Sequence, residues 1–161
     1  MQDLKFIIYL TILVGYIYNF SKKQRNMRLN TKSRYAVMAL ADMASFKENK
    51  PISLRDISLR QSISLQYLEQ IFQKLKKNNI VKSVRGVNGG YILTKNPENI
   101  KLSTVFAALN ESVKTIGCEK HSKRGCNGRS SKCITHNLWD ELDIHINAFF
   151  ENKKLGDLTR Q

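Results

Sequence analysis

Between Ser33 and Phe46, the stretch "SRYAVMALADMASF" sets Tyr35, Val37, Met38, Leu40, Ala41, Ala44 and Phe46 close to helical spacing, with Ser33 placed to cap the segment. Pro51 interrupts this pattern, and "SLRDISLRQ" starts a second helix with Ser53 as its cap and Asp56 at the third helical position, close to a capping box. After a short break at Ser62–Ser64, "SLQYLEQIFQKLKKNN" places Leu65, Leu68, Ile71, Phe72 and Leu75 at three- and four-residue intervals, which predicts an amphipathic helix capped by Ser64. The period then shortens. "IVKSVRGVNGGYILTKNP" holds two β-rich runs, Ile80 to Val84 and Tyr91 to Thr94, joined by a Gly-rich turn. Further on, "LSTVFAALNES" predicts a short helix and "CITHNLWDELDIHINAFFENKKLGDL" a long one, in which Ile134, Leu138, Leu142, Ile146 and Phe149 recur near every fourth position beside Trp139 and Phe150.

Two helices separated by a few residues, the second longer and ending in Lys74, Lys76 and Lys77, match a helix-turn-helix, in which the first helix packs across and the second enters a major groove. Gln66, Tyr67, Glu69, Gln70 and Gln73 are expected on the outward face of that second helix. Amide and hydroxyl groups read base edges, while a carboxylate such as Glu69 accepts from a cytosine amino group or stands as an ordinary solvated residue. A hairpin directly after a recognition helix reads as a wing. Gly86, Gly89 and Gly90 let its backbone turn, and Arg85 is expected at its tip, ready for a minor groove or a phosphate. The Gly run leads into a strand and not a helix, so it is not a nucleotide-binding loop. The expected fold is mainly α with a small β-hairpin, a winged helix-turn-helix followed by a long C-terminal dimerisation helix. The dimerisation role rests on an apolar face too wide for the small wing module to cover. A two-fold dimer of this kind reads a pseudo-palindromic site with half-sites about 34 Å apart.

Charge strengthens the nucleic-acid reading. Among 161 residues, 27 Lys plus Arg stand against 13 Asp plus Glu, a formal charge of +14 that calls for a polyanionic partner, either nucleic acid or an anionic membrane surface. The start of the chain complicates this picture, because "FIIYLTILVGYIYNF", Phe6 to Phe20, is almost wholly apolar yet shorter than the roughly 18 to 20 residues of a spanning helix. "MQDLK" has no net positive charge and no small-residue cleavage site follows, so a signal peptide is disfavoured. Residues 1–26 are read as an extension ahead of a true start at Met27, with a short membrane anchor as the competing reading. Lys22, Lys23, Arg25 and Arg28 would then keep the remainder on the cytoplasmic side. The expected division is 1–26 as this extension, 27–96 as the DNA-binding domain, 97–132 as a linker helix and cysteine loop, and 133–161 as the dimerisation helix and tail.

All three cysteines, Cys118, Cys126 and Cys133, lie in or beside a loop rich in Gly, Lys and Ser, and His136 follows the last of them with two residues between. An odd count argues against a disulfide framework and fits a reducing, cytoplasmic setting. Cys133 and His136 are expected to share one face where the last helix begins, and the upstream thiols complete a Cys3His set. Zinc accepts such a set, and so does an iron-sulfur cluster; the spacing does not separate the two. His121 and His145 are poorer ligand candidates, the first in the loop among Lys and Ser, the second well along the long helix.

Taken together, "MRLNTKSRYAVMALADMA", "ISLQYLEQIFQKLKKNNIVKSVRGVNGGYIL" and "CITHNLWDEL" resemble the IscR-type iron-sulfur cluster regulators, winged-helix transcription factors that bind DNA as dimers. The resemblance runs from Met27 to near Leu158, with the recognition helix, wing turn and cysteine loop in the family's order, and it supports Met27 as the usual start. It implies a 2Fe-2S cluster on Cys118, Cys126, Cys133 and His136, since relatives that sense nitric oxide through a 4Fe-4S cluster generally lack that histidine. A neutral imidazole in place of a thiolate makes such a cluster less negative and easier to reduce or lose. The resemblance also implies DNA contacts among Arg28, Ser64, Gln66, Tyr67, Glu69, Gln70, Arg85 and Gly86, repression of cluster-assembly genes by the loaded form, and a role for Glu69 in the sites the unloaded form accepts. Two departures stand out: the cysteine intervals are slightly wider than usual, and Gln66 occupies a position where relatives often carry serine. No Ser/His/Asp set, paired carboxylates or phosphate-cradling loop suggests an enzyme or a small-molecule substrate. The expected function is therefore a cytoplasmic, homodimeric, DNA-binding regulator, with a zinc-stabilised DNA-binding protein as the alternative.

Overall fold

A computed structural model describes residues 30–46, 50–111 and 131–159. The apolar segment from Phe6 to Phe20, Arg28, Cys118, Cys126 and His121 lie outside the described residues. Helix α1 runs Thr31–Ser45, α2 Leu54–Gln61 and α3 Leu65–Lys77; strands β1 (Val81–Val84) and β2 (Gly90–Leu93) follow, then a single 3-10 turn at Pro97–Asn99, α4 (Leu102–Ala108), α5 (His136–Asn152) and a final 3-10 turn at Leu155–Leu158. The expected mainly helical winged helix-turn-helix with a long C-terminal helix is what the chain forms.

The cap of α1 differs from expectation. Asn30, not Ser33, caps the helix by accepting from the Lys32 amide at 3.1 Å, and Ser33 is buried two residues inside the helix. Asn and Ser cap about equally well, so the enclosure of Ser33 in the core leaves the cap to Asn30. Ser53 and Ser64 cap α2 and α3 as expected, accepting from the amides of Asp56 and Tyr67 at 3.1 and 3.3 Å. Between α2 and α3, Ser62 takes a left-handed conformation (φ 53°) and turns the chain so that Ile63 points into the core. The turn is closed by the Ile63 amide on the Ser58 carbonyl at 3.2 Å and by the Ser58 hydroxyl on the Ile63 carbonyl at 2.6 Å.

Ala36, Ala39, Leu40 and Met43 from α1, Ile57 from α2, and Leu68, Ile71, Phe72 and Leu75 from α3 make the centre of the core. Each large side chain so enclosed contributes about 1.5–3 kcal/mol relative to exposure. A buried carboxylate also aligns α2 on α1. Asp42 receives a forked pair of hydrogen bonds from Arg60, Nε to Oδ1 at 3.0 Å and Nη2 to Oδ2 at 2.6 Å, and a third from Gln61 at 2.8 Å. Donating to Asp42 raises the Arg60 pKa above its ordinary value, and the guanidinium lies 4.9 Å from the Phe46 ring centroid.

The antiparallel hairpin pairs Val81 with Leu93 and Val84 with Gly90, so β1 starts one residue later than expected and ends where expected, while β2 lies one residue earlier. Ile52 extends it, exchanging amide and carbonyl hydrogen bonds with Tyr91 at 3.0 and 2.8 Å. That approach explains Gly90, where a Cβ would collide with the Ile52 carbonyl. Tyr91 then lays its ring edge-on to Phe72, with centroids 5.0 Å apart, which docks the hairpin on α3.

The C-terminal segment closes the body. Leu155 is fully buried in the core, its turn packed on α1 and on the Pro97–Asn99 turn, and its amide donates to the Ile100 carbonyl at 2.8 Å while Leu102 donates to Lys153 at 2.9 Å. Glu151 bonds Ser103 at 2.6 Å and pairs with Lys101, which, before Ser103, lowers the Glu151 pKa. Phe150 meets Phe106 edge-on at 4.7 Å. The end of α5 is therefore tied to the DNA-reading body. Leu155→Ala is expected to destabilise the chain by about 2–5 kcal/mol in urea unfolding, whereas Leu59→Ala, on a solvent-facing side chain, changes stability by no more than about 0.5 kcal/mol.

Candidate nucleic-acid interface and metal centre

Helix α3 has one face in the core, and that rotation decides what the other face presents. With Leu68, Ile71, Phe72 and Leu75 buried, Gln66, Glu69, Gln70 and Gln73 face solvent as expected, joined by Ser64 at the cap. Tyr67 departs from the expectation: it is half-buried, with its ring edge-on to Tyr35 at 5.7 Å between centroids. It lies one position before Leu68 and so falls on the seam between the two faces. Three lysines in the last turn favour the negative end of the helix dipole. Lys76 and Lys77 are exposed, while Lys74 reaches inward and donates to the Leu109 carbonyl at 3.3 Å.

Residues 85–89 link the strands of the hairpin. Arg85 is exposed immediately after β1, and the apex is formed by Val87 and Asn88, so the arginine stands on the shoulder of the wing and not at its tip. Gly86 follows it at φ 126°, a conformation that L side chains rarely adopt, and its carbonyl accepts from the Gly89 amide at 3.0 Å. Val87, wholly exposed at the apex, was not singled out by the sequence pattern, since one apolar residue between Gly and Asn carries no periodicity.

The structure places two of the four expected metal ligands. Helix α5 begins at His136, three residues later than the sequence suggested, and Cys133 belongs to the turn before it. The His136 amide donates to the Cys133 carbonyl at 3.0 Å, so the two residues are separated by a single tight turn. His136 is 7% exposed and Cys133 is exposed, with its sulfur 3.6 Å from the Thr135 hydroxyl. The same hydroxyl accepts from the Trp139 indole at 3.3 Å, fixing the turn to the first turn of α5. His145, solvent-facing along α5 with Nδ1 2.8 Å from the Glu141 carbonyl, stays apart from this pair. A thiol and an imidazole are both donor types that a thiophilic metal or cluster accepts.

Elsewhere α5 buries little. Leu138 and Phe149 are 59% and 55% exposed, and Ile134, just ahead of the helix, is wholly exposed. The apolar stripe seen in the sequence is present, and among the described residues nothing encloses these side chains. Among the described residues, no helix is long and apolar enough to cross a membrane.

Sequence comparison matches residues 29–161 to Rrf2, described as an iron-dependent transcriptional regulator. The HTH-type transcriptional regulator IscR of Klebsiella pneumoniae (strain 342) is 48% identical over 133 residues, covering 83% of this chain and 80% of the relative. The IscR of Escherichia coli (strain K12 / DH10B) matches to the same extent. Among solved structures, T. potens IscR superposes with a TM-score of 0.65 at 31% identity, over 81% of this chain and 85% of that one. CymR (YrzC), the global cysteine regulator of B. subtilis, shares the fold with a TM-score of 0.69 at 24% identity, over 82% of this chain and 95% of its own. These relatives are regulators and not enzymes. The chain belongs to the Rrf2 family of iron-dependent transcriptional regulators, and within it to the IscR type.

Proposed function

We propose that this regulator is a homodimeric repressor that binds a pseudo-palindromic operator, carries a 2Fe-2S cluster on Cys118, Cys126, Cys133 and His136, and controls genes of iron-sulfur cluster assembly in the cytoplasm. The observation that carries the reading is the Cys133–His136 turn, which presents a thiol and an imidazole at the start of α5, in a chain whose other two cysteines are close in sequence. The donor set suits the cluster: three thiolates and one imidazole leave it less negative than four thiolates would, and when bound it supplies a reducible, releasable centre. His136 is buried, which limits the ring's freedom, whereas Cys133 is exposed.

In this reading residues 27–96 recognise DNA, residues 97–132 carry the loop, and residues 133–161 hold the dimer together. The outward residues of α3, Gln66, Glu69 and Gln70, read the major groove, with Ser64 at its start and Tyr67 at its edge; Arg85 and Gly86 approach the backbone or minor groove from the wing, and Arg28 adds a contact near α1. The exposed apolar side of α5 supports a second copy as its cover, because a lone surface helix with Leu138 and Phe149 in water leaves apolar area unburied. Two copies would carry the two recognition helices to half-sites about one turn of DNA apart.

Three outcomes are expected. Anaerobic purification of the full chain yields two irons and two sulfides per chain with visible absorption, as a 2Fe-2S cluster requires, and His136→Ala alters that spectrum. A colourless protein holding only zinc would instead make the loop a structural clip. Arg85→Ala weakens binding to every duplex tested and lowers the salt slope by about 1; an unchanged slope would remove the wing from the interface. Leu138→Asp turns the dimer into monomers in sedimentation while leaving the far-ultraviolet spectrum of the helices in place, and a variant that stays dimeric argues against α5 as the dimer contact.

A further inference from the structure

Helix α5 opens on a residue of a good capping type that does not cap. Thr135 directly precedes the first helical residue, where a threonine hydroxyl ordinarily accepts from an amide of the first turn. Its backbone instead sits at φ −98° and ψ 7°, outside the extended region a cap adopts, and its side chain makes no capping hydrogen bond. The start of the helix is closed through the main chain, by the His136 amide on the Cys133 carbonyl at 3.0 Å and the Trp139 amide on the Thr135 carbonyl at 3.4 Å. The hydroxyl serves elsewhere.

It stands between two side chains. The Trp139 indole, one turn along α5, donates from Nε1 to Thr135 Oγ1 at 3.3 Å, and Cys133 Sγ lies 3.6 Å from the same oxygen. Counting protons fixes the direction of this series. An indole N–H only donates, so the threonine oxygen accepts from it. The threonine keeps one proton of its own, and a cysteine that ligates a metal does so as a thiolate, which only accepts. In that state the order runs from indole N–H to hydroxyl oxygen and from hydroxyl proton to sulfur. Hydrogen bonds in series polarise one another, and the second is strengthened by the charge on the sulfur. Thr135 is exposed while Trp139 is half-buried, so the indole is the more firmly held partner and keeps the hydroxyl from turning to water.

We propose that Thr135, aimed by Trp139, donates its hydroxyl proton to the Cys133 sulfur in its ligating state and is thereby a positioning residue for the metal centre. The proposal rests on the reading of Cys133 as a ligand; the Trp139–Thr135 hydrogen bond does not. A hydrogen bond to a ligating sulfur draws electron density from it and favours the reduced form of a reducible centre. It also orients the ligand, which is the general task of partners placed behind a metal-binding side chain. Because the hydroxyl takes no part in capping, removing it leaves the helix start intact.

The test uses the full chain as wild type, Thr135→Val, Thr135→Ser, Trp139→Phe and the double variant Thr135→Val/Trp139→Phe. In iron-stripped protein the Trp139 indole N–H resonance is read by NMR, unambiguously, since the chain has a single tryptophan. Thr135→Val is expected to move that resonance upfield and Thr135→Ser to restore it; a resonance unmoved in Thr135→Val overturns the series of bonds. In anaerobically purified, iron-loaded protein, the reduced-to-oxidised ratio is measured at the wild-type midpoint potential. Thr135→Val and Trp139→Phe each lower that ratio by about 3- to 10-fold, the worth of one hydrogen bond, while Thr135→Ser stays near wild type. The double variant lowers it no further than Thr135→Val, because both substitutions break the same series. A ratio unchanged in Thr135→Val, or lowered as much in Thr135→Ser, overturns the bond to sulfur. A wild type without iron overturns the cluster reading, and titration of the stripped chains with cobalt(II) then decides the proposal. The sulfur-to-cobalt charge-transfer band is expected to change energy in Thr135→Val and to return in Thr135→Ser. A band unchanged by Thr135→Val overturns the role of Thr135, and a wild type with no such band overturns Cys133 as a ligand and that role with it.

Discussion

Burial of one stripe of α3 governs what this protein can do with DNA. Leu68, Ile71, Phe72 and Leu75 are wholly enclosed, and a helix with four such anchors over two turns has one available rotation. Glutamines 66, 70 and 73 and Glu69 are outward for that reason and not because any contact points them there. The hairpin depends on the same stripe through Tyr91 on Phe72, so the wing and the recognition helix are positioned by a shared piece of core.

Polar contacts then set the angles that apolar packing leaves free. Asp42 is nearly buried, and a carboxylate in that position is costly without partners; Arg60 and Gln61 both reach it from the end of α2. Their fork fixes α2 against α1, while the left-handed Ser62 fixes the turn into α3. Helix α2 is thus held at two seams, against α1 by charge and against α3 by backbone conformation. At the opposite end of α1, Asn30, Lys32 and Glu111 form a second polar seam where the chain departs for its cysteines.

Helix α5 follows a different logic. Its final turn is held by Phe150 on Phe106 and by Glu151 with Lys101 and Ser103, and the chain after it returns to bury Leu155. Its first turn is organised around Cys133, Thr135, His136 and Trp139. Between them lies an exposed apolar stretch. One end of the helix therefore belongs to the DNA-reading body and the other to the Cys133–His136 turn.

Local pattern was enough to determine the helices of the reading pair, the hairpin, the Ser53 and Ser64 caps and the outward face of α3, because each depends on residues within one or two turns of one another. The cysteine and histidine candidates were legible for a related reason: they crowd one short segment. Asn30 and Ser33 compete within a single turn, so the choice of cap turned on which side chain the core would enclose. The three-residue delay in the start of α5 and the half-burial of Tyr67 likewise depended on neighbours that periodicity does not contain. Leu155 had no local signal, standing alone between lysines and a glycine, and it enters the core because the chain folds back onto α1 and the Pro97–Asn99 turn. Glu111 with Asn30 and Lys32, and Asp42 with Arg60, join positions far apart in sequence. Sequence alone determined the elements and the chemistry they carry; tertiary structure decided which charges meet, since that is a matter of distance in space and not of spacing along the chain.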